Sequence, residues 1–306
     1  MKKTIFSLSM MFFSLMTWAQ PQGFGQSGPE PDWKDINYAG DEMEAHHLDI
    51  YLPKDGRDKH KVVVAIYGSA WFSNNMKSMA YMSIGKPLTE AGFAVVCINH
   101  RSSSDAKYPA QINDVKGALR FIRANADKYK LDTSFIGITG FSSGGHLSSM
   151  AGVTNGMKSH TIGEKTIEVE GNVGGNNKFS SNVDAVVDWF GPIDMTRMNN
   201  CETVKDANSP EAALIGGNPA DNMDMTQLSS PYFYVSKSTV PFVVIHGDAD
   251  NVVPYCQSVY FSEELKKNGK LADFITVSGG QHGPVTFNND TFKKMVDFFK
   301  KEAKMK

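Results

Sequence analysis

Ser142 stands in Gly140-Phe141-Ser142-Ser143-Gly144, with apolar residues 135–139 directly before it and helix-compatible residues 147–153 after it. A G-x-S-x-G run between a strand and a helix turns sharply enough to hold a serine hydroxyl out as a nucleophile. The flanking glycines leave room for that turn. Ser143 is the competing hydroxyl, but no glycine leads its register. A serine needs a base to become nucleophilic, and the base needs an acid to orient it. Asp250 follows the apolar run 242–245 in Gly247-Asp248-Ala249-Asp250, and His282 follows the run 274–277 in Gly279-Gly280-Gln281-His282-Gly283. The order Ser142, Asp250, His282 puts acid and base at the C-terminal ends of successive strands, where open α/β sheets carry their sites. The chemistry that fits is acyl transfer through a serine. Asp248 is the alternative acid, better suited to organising its turn through backbone hydrogen bonds. His146 lies one helical turn after Ser142 and is expected to face elsewhere.

Such a reaction also needs donors for the developing oxyanion. Tyr67-Gly68-Ser69-Ala70-Trp71 follows the apolar run 62–66, and its small residues let the N–H groups of Ser69 and Ala70 approach, together with that of Ser143. Trp71 reads equally as a wall of the substrate pocket or as a core aromatic. Trp189 and Phe190 either line a cleft suited to a sugar ring or an aromatic acyl group, or close the core beneath the loops. No His, Asp or Glu set has metal-ligand spacing, so neither a metal nor another cofactor is expected.

Groups so far apart in sequence meet only if regular elements carry them. Residues 62–66, 93–98, 135–139, 185–187 and 242–245 are short, nearly continuous apolar runs, with 273–277 a weaker case. Such runs predict strands buried on both faces in a largely parallel sheet. Between them Ile112, Val115, Leu119 and Ile122 recur at helical spacing, as do Val259, Phe261 and Leu265, and again Phe292, Met295, Val296 and Phe299. Leu48, Ile50 and Leu52 alternate, which predicts antiparallel strands at the N-terminal edge. The fold class is therefore α/β, with a mostly parallel central sheet flanked by helices. Residues 32–306 read as one domain. Residues 156–182, rich in Gly, Asn and Ser, read as a lid-like insertion.

The N-terminus adds a compartment. Met1-Lys2-Lys3 precedes an apolar stretch, and Thr17-Trp18-Ala19 offers small residues for cleavage before Gln20. This is signal-peptide grammar over residues 1–19, followed by a flexible lead-in at 20–31. It predicts export to a periplasmic or extracellular location, in a bacterium, without stable membrane insertion. An exported protein permits a disulfide between Cys201 and Cys256, both in loops expected above the sheet, whereas Cys97 falls in a buried strand. With 41% hydrophobic and 21% charged residues and a net charge of −2 over 306 residues, the composition is globular and gives no electrostatic case for nucleic acid as a partner.

Taken together, Tyr67-Gly68-Ser69-Ala70-Trp71, the segments 108–115 and 140–147, Val186-Val187-Asp188-Trp189-Phe190-Gly191-Pro192, the run 246–254 and His282-Gly283 resemble the α/β-hydrolase superfamily. The similarity is to its carboxylesterase and lipase branch, which includes bacterial feruloyl-esterase and acetylxylan-esterase-like domains, and it extends over residues 35–300. The family's usual His-Gly-Gly-Gly-Trp is replaced by Tyr67-Gly68-Ser69-Ala70-Trp71, and its Asp-Tyr-Arg by Asn99-His100-Arg101. The resemblance implies an ester substrate, either a small ester or an acylated carbohydrate, with acetyl or feruloyl groups on plant polysaccharides as the expected case. A general small-ester carboxylesterase, and after it a serine peptidase or a non-enzymatic binding module, are the other readings.

Overall fold

The structure, a computed structural model, describes residues 28–202 and 206–305. The expected export signal and most of the lead-in lie outside the described residues. Among the described residues ten strands run β1 (Trp33–Asn37), β2 (His47–Tyr51), β3 (His60–Ile66), β4 (Ala94–Ile98), β5 (Leu131–Phe141), β6 (Ser159–Ile162), β7 (Lys165–Glu168), β8 (Ala185–Trp189), β9 (Phe242–Gly247) and β10 (Leu271–Val277). The α-helices are α1 (Lys77–Ala80), α2 (Lys86–Glu90), α3 (Ala110–Ala124), α4 (Ser143–Val153), α5 (Pro210–Ile215), α6 (Met223–Leu228), α7 (Cys256–Lys267) and α8 (Asn289–Glu302).

In β3, Val62, Val64 and Ile66 enter one core and Val63 and Ala65 the other, all fully buried. A run of five successive apolar residues in a strand has no face to give to water, so helices must cover both sides. Eight strands follow the order β1-β2-β4-β3-β5-β8-β9-β10. The β1–β2 and β2–β4 pairs are antiparallel and all other pairs are parallel. Ile112, Val115, Leu119 and Ile122 of α3 fill the first core with Leu147 and Met150 of α4 and Phe261 and Leu265 of α7. Leu88 of α2 and Met295, Phe298 and Phe299 of α8 fill the second. Asn288 starts α8 with a reciprocal cap, its side chain accepting from Thr291 N–H while the Thr291 hydroxyl accepts from Asn288 N–H. Residues Pro31–Lys306 form one compact unit. No helix among the described residues is long and apolar enough to cross a membrane.

The segment 156–182, expected as a lid-like insertion, has a regular part and a bonded part. β6 and β7 pair as a hairpin, and residues 168–182 are strapped to α3. Asn113 donates to Glu168 O and Val169 O at 2.7 and 2.9 Å, Arg120 is paired with Glu170, and Arg123 donates to Ser180 O and Asn182 O. Ile167 and Val169 are buried in the first core. The few apolar residues of this stretch are placed where α3 needs cover, which ties the segment down at the flank of the sheet.

Candidate active site

Ser142 follows the last residue of β5 and caps α4, with φ 55° and ψ −127°. That conformation is strained for an L-residue and aims its side chain off the sheet end. Its N–H donates to Trp189 O at 2.9 Å. The turn is possible because its neighbours lack side chains. A Cβ on Gly140 would lie 2.2 Å from Gly144 O, and one on Gly144 would lie 2.3 Å from Ile66 O.

His282 stands after β10 and Asp250 after β9. His282 Nε2 is 3.0 Å from Ser142 Oγ, and His282 Nδ1 is 2.7 Å from Asp250 Oδ2. In the neutral imidazole this arrangement has Nδ1–H donating to the carboxylate, which leaves Nε2 free to accept the serine proton. Asp250 Oδ1 accepts the N–H groups of Val252 and Val253 at 2.8 and 2.9 Å. Burial pushes the Asp250 carboxyl up, but hydrogen bonds from His246 and His282 outweigh it and hold the group well below the usual carboxylate range. His246 is a partner that sequence reasoning passed over as the end of a strand. Its Nε2 lies 3.1 Å from Val253 O and 3.3 Å from Asp250 Oδ2, and Ser258 Oγ donates to its Nδ1 at 2.7 Å. The i to i+4 spacing of His246 and Asp250 was its only signal. Asp248 instead accepts Gly279 N–H at 2.6 Å and holds the turn after β9 against that after β10.

The oxyanion donors come together only in part. Ser69 N–H already donates to Ser143 Oγ at 2.8 Å, which removes it from the expected set. Ala70, at φ 50°, lines the cavity beside Ser142 and Ser143, and its N–H donates to no group among the described residues. Ser143 opens α4, where the first N–H groups of a helix lack internal acceptors. Of the three expected donors, Ser69 N–H is engaged, and Ala70 and Ser143 stand beside Ser142 in the cavity.

The aromatic residues also separate. Trp71 lines the cavity while its indole N–H donates to His146 Nδ1 at 3.2 Å. Trp189 does not reach the cavity. It is fully buried in the second core against Phe287 and Phe292. The alternation of β8 sends Asp188 and Trp189 to opposite faces, and Trp189 takes the α8 side. Phe190 packs its ring 4.6 Å from that of His282 and does not line the cavity. His146 is buried, donates to Ser229 O at 2.8 Å and is pushed down to about 4 by burial, so it stays neutral and pins Trp71. Asp188 is fully buried beneath the turn at Gly191, whose N–H it accepts at 3.1 Å, and burial pushes it up to about 7.

A cavity of about 430 Å3 opens at Ser142. Its outer wall is made by residues that sequence reasoning did not single out, among them Pro192, Met198, Asn199, Asp206, Glu211 and Val253. Cys201 and Cys256 are disulfide-bonded with Cα atoms 6.3 Å apart, tying this wall to the start of α7. Among the described residues no group of three or more His, Cys, Asp or Glu is arranged to hold a metal ion.

Residues 48–265 match the BD-FAE family. The chain is 32% identical to the probable carboxylic ester hydrolase LipM of Mycobacterium tuberculosis, over 77% of this chain and 52% of the relative. It is 29% identical to esterase LipC of the same organism, over 78% of this chain and 57% of the relative. The chain therefore spans about half the length of the curated relatives it matches. Among solved structures, a bifunctional GH43-CE protein of Bacteroides eggerthii superposes with a TM-score of 0.87 at 68% identity, covering 89% of this chain and 35% of that one. A truncated carbohydrate esterase from gut microbiota superposes with a TM-score of 0.88 at 55% identity, over 89% and 96% of the two chains. The sheet order, the serine turn and the family match agree: this chain belongs to the BD-FAE family and has the α/β-hydrolase fold.

Proposed function

We propose that this protein is an exported serine carboxylic-ester hydrolase that removes acetyl or feruloyl groups from plant polysaccharides. The observation that carries the reading is the chain of contacts from Ser142 Oγ to His282 Nε2 at 3.0 Å and from His282 Nδ1 to Asp250 Oδ2 at 2.7 Å, at the mouth of a cavity. His282 takes the proton of Ser142 as Oγ attacks the ester carbonyl, and Asp250 stabilises the imidazolium that forms. The N–H groups of Ala70 and Ser143 receive the oxyanion, and each such donor is worth about 3 kcal/mol of transition-state stabilisation. His282 then protonates the departing alcohol. Water repeats the sequence on the acyl-enzyme.

The sugar half of the reading is supported by the carbohydrate esterase at 55% identity. It is also supported by a second depression, which shares Ser209 with the catalytic cavity and is edged by the exposed Phe72. Exposed aromatic faces suit sugar rings. Export is supported by the basic, apolar, small-residue order of the N-terminus and by the Cys201–Cys256 bond.

The test is a panel of acetylated xylan, methyl ferulate and short synthetic esters, with S142A as control. Turnover of at least one plant-derived substrate, lost in S142A and reduced by about 10^4-fold or more in H282A, is expected. Hydrolysis of the short esters alone would replace the polysaccharide with a general small-ester substrate. Wild-type turnover in H282A would remove the triad.

A further inference from the structure

The cavity at Ser142 contains an acid that the reaction does not use. Glu211 is only 6% exposed and lines the cavity with Ser142, Ser209, Asn199 and Asp206. Its place is set locally: Ser209 caps α5 by accepting Ala212 N–H at 3.1 Å, Pro210 takes the first helical position, and Glu211 comes next. Among the described residues no lysine, arginine or histidine lines this cavity, and none is paired with Glu211. The groups at its carboxyl are its own backbone N–H and the Ser209 hydroxyl. Burial and the nearby Asp206 push the carboxyl above the usual range, opposed by those two local hydrogen bonds.

A carboxylate is an acceptor with about four lone-pair sites, and two local donors leave part of that capacity open. Withdrawing it from water with no cation beside it among the described residues is unfavourable unless other donors arrive. The donors that fit are those of the substrate. A cation would need desolvation of its own, and among the described residues the lining offers one aromatic face, Trp71. Free hydroxyls of a sugar supply O–H groups without charge, and O–H···O⁻ bonds are about twice as strong as neutral ones. The remaining lining agrees, because Asn199 and Ser209 are neutral polar groups that both donate and accept.

We infer that Glu211 is the residue that recognises the alcohol half of the substrate, accepting hydrogen bonds from the free hydroxyls next to the ester on a neutral sugar, and that the same acidic wall repels esters of uronic acids. This rests on the reading of the chain as a carbohydrate-ester hydrolase. Sites built to hydrogen-bond a substrate hydroxyl reject analogues that lack it, because the buried polar group is then left unpaired.

The experiment uses the full chain as wild type, E211Q and E211L. The substrates are monoacetylated methyl xyloside, monoacetylated methyl glucuronoside, and 4-nitrophenyl acetate, which carries no free hydroxyl. In E211L the ratio of kcat/KM for the xyloside over the nitrophenyl ester is expected to fall about tenfold or more. In E211Q, which keeps a hydrogen-bonding amide but loses the charge, the glucuronoside is expected to gain at least severalfold relative to the xyloside. Binding of the acetylated xyloside by calorimetry is expected to weaken in S142A/E211L relative to S142A, a readout independent of turnover. Equal losses on the xyloside and the nitrophenyl ester with unchanged binding would make Glu211 merely structural and overturn the inference. So would ratios that stay at the wild-type value in both variants, and in that case the esterase reading would stand. A wild-type enzyme that hydrolyses none of the three would remove both.

Discussion

Ser142 is held at a positive φ that alanine tolerates no better than serine but glycine adopts freely. S142G and S142A are both expected to be inactive, yet S142G is expected to unfold at higher denaturant, by about 1–2 kcal/mol of relieved strain. D250N would offer an amide to His282 Nδ1 and favour the wrong tautomer, so kcat is expected to fall by about 10^4-fold while circular dichroism stays native. Asp188 gives a pH signature of the opposite sign to a paired carboxylate. Its folded pKa is raised to about 7 by burial, so the native state keeps a proton that the unfolded chain has released. The stability it contributes is complete below the unfolded pKa of about 4, falls as pH rises through the interval to 7, and is flat above. D188N, which cannot ionise, is expected to gain in melting temperature over wild type as pH is raised from 5 to 8. A difference independent of pH would show that Asp188 is ionised throughout.

At the level of elements, β5, the turn and α4 act as one piece whose dimensions are set by absent side chains. G144A would drive a Cβ to within 2.3 Å of Ile66 O and 2.5 Å of Tyr67 O, both backbone atoms that cannot rotate away. Denaturant titration is expected to show a loss of several kcal/mol, on the order of 3 or more, as for overpacked cores. This piece was readable in advance, because apolar runs buried on both faces and a glycine-flanked serine leave little choice of arrangement. That Asp250 and His282 meet at Ser142 was readable for a related reason: loops at the C-terminal ends of adjacent parallel strands converge, as β9 and β10 do. Features that depended on one rotamer or on an aperiodic loop escaped. Whether Ser69 N–H is available turns on where Ser143 Oγ points. The side of the sheet that Trp189 takes depends on the pleat register, which apolar runs do not encode. The wall from Pro192 to Glu211 has no period, and residues 156–182 drew notice for their composition, which does not reveal that 168–182 bond to α3 while the β6–β7 hairpin packs on α6.

At the level of the whole molecule, the sheet divides two cores, and the cavity opens at the carboxyl ends of its parallel strands. The outer wall there is anchored by Cys201–Cys256, a bond that closes a loop with a sequence separation of 55. Loop-closure entropy of that length corresponds to roughly 4 kcal/mol, so C201S/C256S is expected to lose much of that stability and to raise KM more than it lowers kcat. Unchanged melting and unchanged KM would mean that the wall holds itself. The third cysteine shapes how that bond is reached. Three thiols allow three pairings, and two of them would trap Cys97. Cys97 lies in β4 with no exposure, and burial raises its thiol well above the ordinary value. Once β4 has paired with β2 and β3 and the second core has closed over it, Cys97 is neither accessible nor a thiolate, and the sheet acts as a protecting group that leaves a single productive oxidation. Before that moment all three pairings compete, so oxidative refolding of C97A is expected to give a higher yield of native enzyme than wild type, with the gap closing when oxidant is withheld until the sheet has formed.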